Sequence, residues 1–244
     1  MTAAPRPGEV AALAALCALA YLPAWLAFFV KDDLVLITSA RLDPVAALHR
    51  AWPGGFFRPG AELLFATEAR LFGIDPLPYH LVSFAAHLAV AWLAYRLLGL
   101  VPRYASIRFP AAALFALHPL CTETVSWISG QMSLAAGLSI LAGLYLQASG
   151  RRPAALAAFG LGLSCYENAL LIFPLGAALW WGWDRFRAGP AWPLACGLAA
   201  AAYLYWRFAV LDLGGGNYLV TFAPANALIN FAYYAYLLAG GSAI

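Results

Sequence analysis

A chain of 244 residues that is 64% hydrophobic and 10% charged, with a formal net charge of +3, lies far from the roughly 25% charged content of soluble domains. This is the composition of a polytopic membrane protein, and so small a net charge excludes nucleic acid as a natural partner. Thirteen of its fourteen basic residues are arginine and one, Lys31, is lysine.

At about 20 apolar residues per crossing, the sequence predicts spans at about 10–30, 77–100, 106–119, 124–147, 153–167, 169–183, 190–210 and 221–240. The first is longer than a signal-peptide core and runs into acids instead of a small-residue cleavage site, so it reads as a retained span. One long connection, residues 31–76, follows it, and the remaining connections are tight turns. Arg6, then Arg96, Arg103 and Arg108, then Arg151 and Arg152, then Arg185 and Arg187 fall at every second connection, which marks that side as cytoplasmic. Asp32, Asp33, Asp43, Glu62, Glu68, Asp75, Glu123, Glu167 and Asp212 then fall at or near the opposite, outer face. Any chemistry is expected there.

Within the outer loop, Asp43 to Trp52 reads as a short helix capped by its acid with Pro44 in the first turn. A second helix, Gly60 to Phe72, sets Leu63, Leu64, Ala66, Thr67 and Leu71 apart from Glu62, Glu68 and Arg70, a pattern suited to the membrane interface. Cys17, Cys121, Cys165 and Cys196 have no metal-like spacing and read as free thiols. Gly214-Gly215-Gly216-Asn217 lacks the strand before and the Lys-Ser/Thr after that a phosphate loop needs.

The adjacent carboxylates Asp32 and Asp33 close the first apolar run. Boundary acids can act as a general base or hold a divalent metal; the other reading is a pair that only stops the span. Glu123, beside Thr122 in the turn with His118, is either a helix cap or a site residue. Glu167 sits in apolar sequence, where a carboxylate is costly without a wet cavity or a partner, so it reads as functional. Arg58, between Phe57 and Pro59, suits a phosphate headgroup; the other reading is an interfacial arginine that only anchors against lipid phosphate. Tyr79 and His80 offer further hydrogen bonds, and His87 reads as a bundle histidine. No Ser or Cys has a His and acid set around it for covalent catalysis, and no inverted repeat suggests a transporter.

The order Asp32-Asp33, then Phe57-Arg58-Pro59, then Leu71-Phe72-Gly73-Ile74-Asp75-Pro76-Leu77-Pro78-Tyr79-His80-Leu81-Val82, then Ala116-Leu117-His118-Pro119-Leu120-Cys121-Thr122-Glu123-Thr124-Val125-Ser126-Trp127-Ile128-Ser129-Gly130, then Tyr166-Glu167-Asn168 resembles the membrane half of the transmembrane and tetratricopeptide repeat O-mannosyltransferases and their bacterial relatives. These are GT-C glycosyltransferases. The resemblance implies an all-α polytopic bundle of about eight transmembrane helices, a single GT-C-like domain over residues 1–244, with the helical first outer loop at 31–76. It implies transfer of a sugar from a polyprenyl-phosphate carrier to an acceptor protein or glycan, with membrane lipid around it and a divalent metal admissible. Asp32 would be the base with Asp33 second, Arg58 would meet the donor phosphate, and His118 and Glu123 would shape the pocket beside Tyr79, His80 and Glu167. The site would face the periplasm from a bacterial inner membrane, or the lumen of the endoplasmic reticulum.

The chain departs from that pattern at Cys121, which takes a histidine's place, at Gln131-Met132-Ser133, where an arginine and an acid usually follow Ser-Gly, and at Tyr166, which takes a lysine's place. Two basic positions lost near an anionic donor fit either a different donor or a non-catalytic protein of the same fold that binds a lipid-linked sugar or a partner. The sequence ends at Gly240-Gly241-Ser242-Ala243-Ile244 without a basic anchor or tetratricopeptide repeats, as expected of a fragment, or of a minimal or decayed member.

Overall fold

The computed structural model describes residues 6–40, 42–49, 56–182 and 191–210, and every regular element among them is a helix. The order is α1 (Pro7–Tyr21), α2 (Asp33–Ser39), α3 (Pro44–His49), α4 (Pro59–Phe72), α5 (Pro76–Gly99), α6 (Arg108–Ala116), α7 (Cys121–Ser126), α8 (Gln131–Ala148), α9 (Arg152–Cys165), α10 (Ile172–Gly182) and α11 (Ala191–Tyr205). Among the described residues three segments are long and apolar enough to cross a membrane: Pro7–Leu26, Pro76–Gly99 and Ile128–Ala148. They coincide with the first, second and fourth of the eight predicted crossings. The third is a 9-residue helix, the fifth, sixth and seventh are helices of 14, 11 and 15 residues, and the eighth lies outside the described residues.

Local chemistry explains where helices stop. Pro23 tightens the end of α1 into a 3-10 turn over Leu22–Leu26, and Ala27 is extended at ψ 152°. The first crossing thus ends before residue 30, and the acids belong to a new helix, not to its rigid tip. Asp75 caps α5 by accepting from the Leu77 N–H at 3.2 Å, with Pro76 at the first helical position, where its missing donor costs nothing. Pro119 has no N–H to offer and α6 ends at Ala116. The Ala116 carbonyl accepts from the Tyr21 hydroxyl at 2.8 Å and bonds His87 Nε2 at 2.9 Å, so the break is satisfied inside the bundle, as an apolar medium demands. Trp127, extended at ψ 122°, separates α7 from α8. Gly130 follows, where a Cβ would lie 2.5 Å from the Thr124 carbonyl oxygen.

Three buried clusters hold the bundle. Leu13, Cys17, Tyr21, Ala91, Tyr95, Ala112 and Ala116 join α1, α5 and α6. Ile140, Leu144, Ala155, Phe159, Leu163, Trp192 and Cys196 join α8, α9 and α11. Phe29, Leu36, Ile37, Ala61, Phe65, Tyr79, Ile128 and Met132 join α2 and α4 to the starts of α5 and α8. At the opposite end of α5, the Glu9 carboxylate accepts from the Tyr95 hydroxyl at 2.6 Å and from Arg6 at 3.2 Å, with Arg108 at 3.5 Å. Arg96 bonds the Tyr145 hydroxyl there as well.

The face of α4 reverses the sequence expectation. Glu62 and Glu68 are 2% and 3% exposed while Leu71 is 71% exposed. Close packing on α9 fixes this orientation: a Cβ at Gly60 would sit 2.3 Å from Ser164 Oγ. Neither Glu68 oxygen has a hydrogen-bond partner among the described residues, and burial pushes its carboxyl from the usual 4.5 up to about 8. Between those two values the folded chain keeps a proton that the unfolded chain has released, so stability falls as pH rises from about 4.5 to 8. Glu68→Gln should flatten that slope in detergent-solubilised protein and raise stability at pH 8 relative to the unmodified chain by about 1–3 kcal/mol, because the amide has no charge to desolvate. An unchanged slope in thermal unfolding midpoints would contradict the buried placement.

Candidate functional site

Asp33 opens α2 and is 1% exposed. Its Oδ1 accepts from the Ser129 N–H at 2.9 Å and the Ser129 hydroxyl at 2.6 Å, and its Oδ2 accepts from the Val30 N–H at 3.0 Å. Three donors on one buried carboxylate repay its desolvation and lock the turn before α2 to the break before α8. With donors on both oxygens and 1% exposure, Asp33 holds the turn in place, and Asp32 is the acid of the pair that lines the cleft. Asp32, one residue earlier, is exposed and its carboxylate has no hydrogen-bond or ion-pair partner among the described residues.

Asp32 lines a cleft of about 570 Å³ at this end of the bundle. Leu36 continues its wall; Phe56, Arg58 and Tyr166 form a second wall; Glu123, Thr124, Trp127, Ser129, Gly130, Met132 and Ser133 complete it from α7, the break and the start of α8. The Arg58 guanidinium lies between two rings, 4.2 Å from the Phe56 centroid and 4.3 Å from that of Tyr166. Its Nε and Nη2 donate to Glu167 Oε2 at 3.1 and 2.9 Å, and Nη1 approaches the Met132 sulfur at 3.6 Å. Glu167 Oε1 accepts from Arg207. One carboxylate therefore serves two guanidinium groups, which leaves this wall net positive. Stacking and the paired bonds fix the Arg58 plane.

At the rim, Lys31 Nζ lies 3.2 Å from Glu123 Oε1 and 4.4 Å above the Trp127 ring. Glu123 is in the first turn of α7 without capping it, so of its two sequence readings the cap is not adopted. Tyr79 and His80 do not reach the cleft: the Tyr79 hydroxyl donates to the Gly73 carbonyl at 2.9 Å and His80 Nε2 lies 3.2 Å from the Ala27 carbonyl oxygen. Both are buried and pack behind α2. His118 stays in its own turn, its Nδ1 accepting from the Leu120 N–H at 3.3 Å. Of the eight residues expected at the site, Asp32, Arg58 and Glu123 line the cleft, Asp33 and Glu167 hold lining residues in place, and Tyr79, His80 and His118 stand apart.

Sequence reasoning missed Lys31, Trp127, Ser129, Tyr166 and Arg207. Signals were present for some: Lys31 is the only lysine and adjoins the acid pair, while Trp127, Ser129 and Tyr166 lie within quoted motifs. Among the described residues no three His, Cys, Asp or Glu groups converge. Asp33 is engaged by backbone and hydroxyl donors and Glu123 lies beside Lys31, which leaves Asp32 as the carboxylate on this wall without a partner among the described residues.

The fold and cleft define a helical membrane protein with a polar cleft at one end of its bundle. In sequence it resembles protein O-mannosyltransferases of the transmembrane and tetratricopeptide repeat kind. It is 34% identical over 155 residues to the protein O-mannosyl-transferase Tmtc1 of Drosophila melanogaster, a match covering 55% of this chain and 18% of that protein. Identity to TMTC2 of Mus musculus is 27% over 151 residues, covering 62% and 15%, and to tmtc2 of Xenopus laevis 36% over 88 residues, covering 36% and 10%. The chain thus spans less than a fifth of the length of these curated relatives. No family model and no solved structure matches it.

The two neighbouring acids should separate in stability measurements. Asp33→Ala strands the Val30 and Ser129 donors and should cost about 3 kcal/mol or more, seen as a lowered unfolding midpoint and reduced yield. Asp32→Ala, on an exposed and unpaired side chain, should stay within about 0.5 kcal/mol. Equal losses in both would refute the clamp.

Proposed function

We propose that the chain is the membrane core of a glycosyltransferase that moves a sugar, mannose by analogy with its relatives, from a polyprenyl-phosphate donor to an acceptor hydroxyl at the outer face of the membrane. The observation that carries this reading is one cleft presenting a carboxylate without a partner among the described residues, Asp32, and a guanidinium held against two rings, Arg58. Such transfer needs a base on the acceptor and charge to meet the leaving phosphate. Asp32 takes the proton of the acceptor hydroxyl as its oxygen attacks the anomeric carbon. The bond from that carbon to the carrier phosphate breaks, and the phosphate leaves with the electron pair toward Arg58. Glu167 orients the guanidinium without touching substrate.

The arginine-lined end of α5, around Glu9, Arg96 and Arg108, supports a cytoplasmic assignment of that end and an outer assignment of the cleft. A second reading, a carrier-binding protein without transfer, draws on Tyr166, which occupies the cleft wall where a lysine is the usual residue of the resembled pattern.

Purified membranes supplied with dolichyl phosphate mannose or its undecaprenyl counterpart, together with acceptor peptides, test the first reading. Asp32→Asn should lower transfer at least about a hundredfold, as expected for loss of a general base, with abundance and donor binding unchanged. Retained transfer in Asp32→Asn would sink the role of Asp32, while donor binding without transfer in the unmodified chain would establish the second reading.

A further inference from the structure

We propose that Lys31 is an anion-binding residue of the cleft, held at the rim by Glu123 until a phosphate monoester displaces that carboxylate. The proposal rests on the donor reading above and adds to it a residue and an exchange of partners. Lys31 is the one non-glycine residue among those described with a positive φ, +53°, a conformation that costs about 1–2 kcal/mol. What imposes it is visible on both sides. The Val30 N–H is held by Asp33 Oδ2 at 3.0 Å and the Val30 carbonyl accepts from the Asp33 N–H at 3.1 Å, while Asp33 is anchored to Ser129. The clamp that positions Asp32 therefore also fixes the backbone from which the chain's single lysine projects over Trp127, a residue of the cleft.

The two cations at this site differ in freedom. Arg58, with a side chain 10% exposed, has two donors on Glu167 and rings on both faces, so it supplies a fixed charge. Lys31 is 61% exposed and its partner Glu123 70% exposed. An ion pair so open to water contributes little net stability, and a flexible ammonium forms stronger charge-assisted bonds with a phosphate dianion than with a solvated carboxylate. Exchange moves positive charge toward the departing phosphate and leaves the Glu123 carboxylate free on the wall. A lipid carrier, free phosphate and a bilayer headgroup share this chemistry, so three probes distinguish them.

Equilibrium binding of farnesyl phosphate, inorganic phosphate and phosphatidylglycerol micelles is measured on the full chain in detergent, with ligand-free unfolding midpoints checking that each variant is folded. Lys31→Ala should weaken farnesyl phosphate binding about tenfold, and Lys31→Arg should recover most of it. Glu123→Gln should tighten binding about threefold, and only when Lys31 is present, a coupling that a merely structural pair would not produce. Unchanged affinity in Lys31→Ala, with binding lost in Arg58→Ala, overturns the role of Lys31 and leaves the lipid-phosphate donor standing. Lys31-dependent binding of inorganic phosphate with no preference for farnesyl phosphate upholds Lys31 and fails the lipid-carrier reading. Binding to phosphatidylglycerol alone overturns the proposal in favour of a headgroup contact, and binding to none of the three overturns both readings.

Discussion

The geometry of the cleft depends on one buried carboxylate. Asp33 takes donors from Val30 and Ser129, two points 99 residues apart in sequence, and ties the outer loop to the break between α7 and α8. Burying an ionised carboxylate is costly unless donors compensate it, and these three donors tie the two segments together. That arrangement sets Lys31 in the left-handed region, turns Asp32 to the cleft and holds Ser129 and Gly130 against it. The residue that the sequence ranks second as a base thus serves to place the first.

Around the cleft, charge is distributed by rigidity. Glu167 holds Arg58 and shares itself with Arg207, giving a stiff positive wall formed from three segments far apart in the chain. Lys31 and Glu123 form an open pair at the rim. A guanidinium held by two bonds to one carboxylate and by neighbouring rings does not easily change partners, whereas a solvated ammonium can. The cleft therefore has a fixed positive charge in its wall and, through the contacts of Lys31 with Glu123 and Trp127, an exchangeable one at its rim.

Broken helices bring these groups together. A continuous helix over residues 106–147 would carry Glu123 and Ser129 around its own axis and away from the loop. Pro119 and the extended Trp127 divide that stretch into α6, α7 and α8, and Tyr21 and His87 take up the buried Ala116 carbonyl. Irregular backbone inside an apolar bundle survives only where protein groups satisfy it. Gly130, packed on the Thr124 backbone, lets the two pieces approach.

Sequence by itself determined the helical membrane class, the loop helices, the long crossing at Pro76–Gly99 and the resemblance to the O-mannosyltransferases, because apolar run length, caps and short motifs are local properties. It also gathered Asp32, Arg58 and Glu123 to one end, since arginine placement in short turns carries topology. It misjudged α4, whose Glu62 and Glu68 are buried and whose Leu71 is exposed, because close packing of Gly60 on α9 outweighs amphipathic periodicity. Only the tertiary structure decided that Asp33 is a clamp, that Glu167 is the partner of two arginines, that Tyr79, His80 and His118 stand outside the cleft, and that Lys31 reaches Glu123. Each of these follows from hydrogen bonds and ion pairs between residues far apart in the chain, and no local pattern encodes which distant donor a buried carboxylate will meet.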